Sequence, residues 1–255
     1  MLSILPLGCY GSDLENKKCI TMQISPSTVI DTGALLSSLD TPQLVDIRNV
    51  IITHCHFDHI KNLPIFSDFM LSLGHHSFNL LTTENIMKQI QQHILNDLIW
   101  PDFTKLPTKK KPTINFIPIS FDKPFTIDQT EFIPVEMNHL VESIGFVIKK
   151  GKKSIAYSGD TYFCDRFVDL INSDNSIKTV CWEASFPNRL EKIAIASKHL
   201  TPEFLQTELN KVKRKCEIHT FHLKPNLEDE IMTDLKNIRS RMVITTMKQK
   251  KPISI

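Results

Sequence analysis

Residues 54–59 read His54-Cys55-His56-Phe57-Asp58-His59, four metal-ligating side chains in six positions, directly after the apolar run Val50-Ile51-Ile52. That run has the branching of a buried strand, so the motif begins where a strand gives way to a loop. His54 and His56 stand at i and i+2, so on an extended segment they point the same way and can grip one ion, while Asp58 and His59 face a second. Four donors exceed what one catalytic zinc with an open position needs, and they cannot complete two sites, so further donors must come from elsewhere in the chain. Mixed imidazole and carboxylate donors suit zinc, manganese or iron rather than calcium, which takes oxygen alone.

Three later strand-like stretches each end on such a donor. His139 follows Phe132–Met137, Asp160 follows Ser154–Ser158 where Gly159 lets the backbone turn, and His222 follows Glu217–Phe221. The expected arrangement places His54, His56 and His139 on one ion, Asp58, His59 and His222 on the other, and Asp160 between them. Seven ligands of this kind support two open sites, and all lie just after strands, on loops of the sort that carry function.

The rest of the chain sets bounds. With 255 residues, 41% of them hydrophobic, a sizeable core is available, and no linker or repeat divides the chain, so residues 1–255 read as a single domain. Strand patterns also cover Leu2–Leu7, Ile20–Ile24, Thr28–Ile30, Val50–Thr53, Asn79–Thr82, Ile114–Ile119, Ile144–Lys149 and Thr179–Trp182, and helical patterns cover Pro42–Ile47, Glu84–Leu98, Asp165–Asn172, Thr201–Val212 and Leu227–Ile238. Thr83 and Thr201 stand as helix caps. Two sheets packed together with helices outside follow from that order. Six scattered cysteines without a CxxC pair read as reduced thiols, and no leader or membrane-length run is evident, so a cytoplasmic location is expected. A net charge of +2 is too mild to argue for nucleic acid as partner, and Lys109-Lys110-Lys111, Lys211–Lys215 and Lys248–Lys251 read as solvated faces.

The HxHxDH sequence at 54–59, with the later His, Asp and His in order, resembles the metallo-β-lactamase superfamily. The resemblance implies an αβ/βα sandwich of two mixed β-sheets packed face to face with helices on the outside. Asp31-Thr32-Gly33 looks like the early Asp-x-Gly turn of that superfamily, which implies that Asp31 supports the metal loop without binding metal. Ile99–Phe103, Cys181–Asn188, Ser197–Pro202 and His219–Pro225 are similar to the class II cyclic-nucleotide phosphodiesterases, and the likeness runs from Leu7–Ser12 to the last helix. Two departures mark the chain: Ile60-Lys61-Asn62-Leu63-Pro64 replaces a glycine and small residues after the motif, and Lys198 stands where a glycine often precedes the histidine.

What the resemblance implies is chemistry by two divalent metal ions, zinc by default with manganese or iron as alternatives, which activate water and polarise a phosphoryl oxygen. The catalytic group is expected to be Asp58, His199 and Glu183, with Glu183 fixing the His199 tautomer and His199 supplying a proton to the leaving oxygen. The expected reaction is hydrolysis of 3′,5′-cyclic nucleotides, cAMP or cGMP, to 5′-monophosphates. The partner is then a small molecule, with neither nucleic acid nor membrane, in a homodimer. Two other readings stay open: a tRNA 3′-processing endonuclease, whose glycine- and proline-rich arm has no counterpart here, and a non-catalytic binding protein. Trp100 and Phe103 form a wall for a purine, core or a dimer contact, Ser143 and Thr161 either contact phosphate or shape turns, Cys55 packs in the interior, and His75, His76 and His93 are exposed or structural.

Overall fold

β-branched and aromatic runs become strands in two groups. In the computed structural model, which describes residues 1–74 and 76–255, the first group comprises β1 (Ser3–Gly8), β2 (Thr21–Ser25), β3 (Thr28–Ile30), β4 (Asn49–Ile51) and β5 (Phe78–Thr82), a small hairpin β6 (Pro107–Thr108) and β7 (Lys111–Pro112), and β8 (Ile114–Pro118). The second comprises β9 (Phe125–Ile127), β10 (Thr130–Met137), β11 (Ser143–Lys150), β12 (Lys153–Tyr157), β13 (Ile177–Glu183), β14 (Glu217–Phe221) and β15 (Val243–Thr246), after which β16 (Ile253–Ser254) returns to pair with β1. The expectation for His75 lies outside the described residues.

Two seven-stranded sheets result, ordered β16-β1-β2-β3-β4-β5-β8 and β15-β14-β13-β12-β11-β10-β9. Each is mixed, antiparallel on one flank and parallel on the other. Side-chain alternation then decides the layering. Along β11, Ile144, Phe146 and Ile148 join the core shared with the first sheet, whereas Val147 faces the other way. Along β13, Cys181 lies in the shared core, and Val180 and Trp182 lie beneath the outer helices. The sheets therefore pack face to face, and consecutive residues of β4, Val50 and Ile51, are both buried because both faces of that strand are covered.

The helices are α1 (Leu35–Ser38), α2 (Thr41–Asp46), α3 (Phe57–Ile60), α4 (Leu63–Ser72), α5 (Glu84–His93), α6 (Asp165–Ser173), α7 (Glu191–Ser197), α8 (Pro202–Lys211) and α9 (Glu228–Lys236). Phe66 and Met70 of α4 and Ile86 and Ile90 of α5 pack on the first sheet, while α6, α8 and α9 cover the second. Thr83 and Thr201 cap as expected, accepting from the Ile86 and Phe204 amides at 3.2 Å each. None of the helices among the described residues is long and apolar enough to cross a membrane.

Several boundaries differ from the sequence expectation. The helix expected to reach Leu98 stops at His93, because the Leu95 amide reaches back to the Ile90 carbonyl and the Asn96 side chain takes the amides of Leu98 and Ile99. Asp97 then turns through φ 63°, which ends any helix. The stretch 60–64 proves to contain the start of α4, with Pro64 in its first turn, where its missing N–H costs nothing.

Candidate metal centre

Strands β12, β13 and β14 run parallel, and β10 shares their direction because two antiparallel pairings separate it from β12. Their carboxyl ends meet one edge of the second sheet, bringing His139, Asp160, Glu183 and His222 together. The first sheet delivers the 52–59 segment from the end of β4, with Asp58 and His59 on α3. Backbone bonds join the two sources: the Ile144 amide donates to the Thr53 carbonyl (3.0 Å) and the His222 amide to the Cys9 carbonyl (2.7 Å). Gly159 makes its turn at φ 58°. At Gly11 the requirement is space, since a Cβ would lie 2.6 Å from Cε1 of His222.

All seven expected ligands converge. The donor atoms of His54, His56, His139 and Asp160 lie within 4.8 Å of one another, as do those of Asp58, His59 and His222. Asp160 Oδ2 stands 3.5 Å from His54 Nε2, 3.3 Å from His59 Nε2 and 3.1 Å from His222 Nε2, between the two groups. His56 turns Nδ1 toward His139 Nε2, at 3.0 Å. His54 Nε2 and Asp160 Oδ1 are buried without a hydrogen-bond partner. Such atoms are costly to bury unless something pairs with them, and a cation at the centre of these donors does so. The cluster is compatible with divalent metal binding.

Behind the donors lie two buried carboxylates arranged alike. Asp31 accepts from His59 Nδ1 (2.7 Å), from the Thr53 amide (2.9 Å) and from the Thr53 hydroxyl (2.9 Å), which in turn accepts from His54 Nδ1 (3.0 Å). Glu183 accepts from His199 Nδ1 (2.7 Å) and from the Ser185 hydroxyl (2.7 Å), and Ser185 accepts from His222 Nδ1 (2.7 Å). Each carboxylate thus orients one imidazole directly and a second through a hydroxyl. His139 Nδ1 instead donates to the Lys198 carbonyl at 3.1 Å. With these Nδ1 positions engaged, Nε2 of His54, His59, His139 and His222 faces the centre.

Electrostatics divide the donors. Burial pushes the His54 and His56 imidazoles below the usual histidine range and brings His139 down to about 4. Burial also opposes charge on His59 and His222, but the neighbouring Asp160 carboxylate overcomes it, raising His59 well above its ordinary value and His222 to about 9. Asp58 and Asp160, despite burial, are held below the carboxylate range by those histidines.

The remaining candidates separate cleanly. Ser143 donates to the Asp160 carbonyl (3.0 Å), and the Thr161 amide donates to Glu183 Oε1 (3.0 Å), so both shape the Asp160 loop from buried positions. Phe103 is core, and Trp100 is half-buried with its indole N–H on the Pro64 carbonyl (3.1 Å). Cys55, expected in the interior, is only half-buried because the extended segment turns it away from the ligands. His93 is exposed and His76 half-buried. Sequence reasoning missed Thr53 and Ser185, although each stands one or two positions from a residue it did identify.

The profile of the Beta-lactamase superfamily domain matches residues 28–245. The chain is 26% identical over 157 residues to the cGMP-dependent 3′,5′-cGMP phosphodiesterase A of Dictyostelium discoideum, a match covering 59% of this chain and only 16% of that protein. Unliganded yeast PDE1 superposes with a TM-score of 0.81 at 18% identity over 98% of both chains. The metallo-beta-lactamase fold protein YhfI of Bacillus subtilis gives 0.78 at 16% identity over 100% of both chains. On the profile match and this architecture, the chain belongs to the beta-lactamase superfamily and has the metallo-beta-lactamase fold.

Proposed function

We propose that the protein is a dinuclear metal-dependent phosphodiesterase that hydrolyses 3′,5′-cyclic nucleotides to 5′-monophosphates. The observation that carries this reading is the placement of the Glu183–His199 pair against the ligand cluster. The His199 ring stacks on His222 at 5.0 Å between centroids and lies 4.9 Å from the His139 ring, with only 6% of the residue exposed. A hydrolase that cleaves a P–O bond to an alkoxide needs a proton at that spot, and a binding protein does not.

His54, His56 and His139 would hold one ion, Asp58, His59 and His222 the other, and Asp160 both. Two divalent ions supply Lewis acidity and lower the pKa of water toward neutrality. Zinc is the proposed metal because five of the seven donor residues are imidazoles, with manganese or iron sharing the donor preference. The chain's own residues do the rest. Asp58, with 23% of its side chain exposed where Asp160 has 1%, reaches the open side of the cluster and there orients the attacking water and accepts its hydrogen bond. Glu183 holds a proton on His199 Nδ1, so that Nε2 is free to deliver a second proton to the departing 3′ oxygen as the ring opens. The cyclic-nucleotide class draws support from the Dictyostelium relative, described as a 3′,5′-cGMP phosphodiesterase.

The test is hydrolysis of cAMP and cGMP by zinc-loaded protein, beside a chelated sample and His199→Ala, with the product identified as 5′- or 3′-monophosphate. Zinc-dependent release of 5′-monophosphate, cut roughly 10²–10⁴-fold in His199→Ala, is expected. Turnover of a generic phosphodiester or a tRNA precursor, with neither cyclic nucleotide cleaved, would sink the substrate assignment.

A further inference from the structure

Lys198 closes α7 in a left-handed conformation, φ 51° and ψ 53°. Glycine adopts that conformation freely and a side-chain-bearing residue does so at a cost, so a lysine kept there calls for a compensating role. Its contacts supply one. The ammonium donates to Asn138 Oδ1 (2.9 Å) and to the His139 carbonyl (3.3 Å), while the Lys198 carbonyl accepts from His139 Nδ1 (3.1 Å). Asn138 is itself pinned to the loop beyond Asp160: its amide donates to Thr161 Oγ1 (3.2 Å), its side chain to the Phe163 carbonyl (2.9 Å), and its carbonyl accepts from the Tyr162 amide (2.8 Å). The next residue in the chain is His199.

We propose that Lys198 is a positioning residue whose ammonium fastens the His199 segment to the His139 loop and, through Asn138, to the loop beyond Asp160, setting proton donor and first-ion ligands in one register. The inference rests on the phosphodiesterase reading above. A glycine at 198 would still offer the carbonyl that orients the His139 ring. What it cannot offer is the ammonium, which holds the 138–139 loop from the side, the loop that Asn138 ties in turn to residues 161–163. A left-handed turn chosen only to end a helix would make the side chain dispensable.

Lys198→Met keeps an unbranched stem reaching to Cε and removes the ammonium, Lys198→Gly removes both while relieving the backbone, and Lys198→Arg retains a donor. Zinc affinity is read by competition with a chromophoric chelator, in the full chain and again with Asp58→Ala added, which leaves the His54, His56 and His139 ligands intact so that the first ion is read alone. Lys198→Met and Lys198→Gly are each expected to weaken the first ion by roughly 10–100-fold, the range for residues that support a ligand, with Lys198→Arg largely restoring it. Thermal melts of the same samples are expected to show Lys198→Gly at least as stable as the parent, so the loss of affinity is not a loss of fold. First-ion affinity in Lys198→Met equal to that of the parent would overturn the proposal and leave the phosphodiesterase reading standing. A parent protein that takes up no zinc at this cluster would overturn both.

Discussion

Burial pushes the His54, His56 and His139 imidazoles below the ordinary histidine range, whereas the neighbouring Asp160 carboxylate raises His59 and His222 above it against the same burial. The difference arises from where the carboxylates lie. Asp160 Oδ2 is closest to His222 and His59 and farther from His54, and Asp58 sits within 3.2 Å of His222 alone among the imidazoles of the centre. One set is therefore ready to accept a cation as it stands, and the other must first give up protons. A half of three imidazoles and a half of two imidazoles and a carboxylate are thus expected to load differently, with the bridging Asp160 common to both.

The largest expected effect follows from removing that common term. Asp160→Ala deprives both sets of their shared carboxylate, and a loss of several kcal/mol of charge stabilisation corresponds to roughly 10³-fold or more in kcat/KM. Metal analysis of the purified variant should show both ions weakened; a variant that keeps one ion at full affinity would break the symmetry of the bridge. His139→Ala and His222→Ala should each forfeit one ion and spare the other.

Support for the ligands provides a gentler probe. Ser185→Ala cuts the link from Glu183 to His222 and should weaken the second ion by roughly 10–100-fold with the first unchanged, whereas Thr53→Val, which disturbs His54 as well as the Asp31 carboxylate beside His59, should touch both. Zinc titration of the two variants side by side decides whether the networks are as separate as their hydrogen bonds.

The smallest effect, and the most direct on the charge difference, is in the pH dependence. His222 holds its proton up to about 9 in the folded chain, against about 6.5 for free histidine, so its ion pairs stabilise fully below 6.5 and that contribution fades as pH rises through 9. His139 has the opposite sign. Its folded value near 4 means that the unfolded chain binds the proton more readily, so stability falls as pH drops from 6.5 toward 4. Melting of the chelated protein should accordingly decline on both sides of a middle range, and zinc affinity of the second set should climb toward pH 9 while that of the first stays level. A rising alkaline limb for the chelated protein would contradict the ion-pair assignment.

Much of this was legible in the chain itself, for identifiable reasons. The candidate ligands stand out because four of them fall within six positions and the other three each follow a strand pattern, in order along the chain. Edge strands are another matter: β9, β15 and β16 span two to four residues, each with at least one position facing solvent, so their alternation is too short to read. α4 escaped because Pro64 looks like a break until it is seen to occupy a first turn. Ser185 and Thr53 carry no signal of their own, since a hydroxyl matters here only through groups brought near by tertiary packing. Lys198 was visible as a departure, but its left-handed backbone was not.

The bond from the Ile144 amide to the Thr53 carbonyl, which stitches the loops of the two sheets, bears on the order of assembly. Four donors come from one short segment early in the chain and three from loops that follow β10, β12 and β14, so no partial fold made from the first sheet alone holds a complete set. Docking of the sheets creates the centre, and a cation held there acts as a late clasp between distant parts of the chain. Metal uptake is on this account a signal that folding has finished.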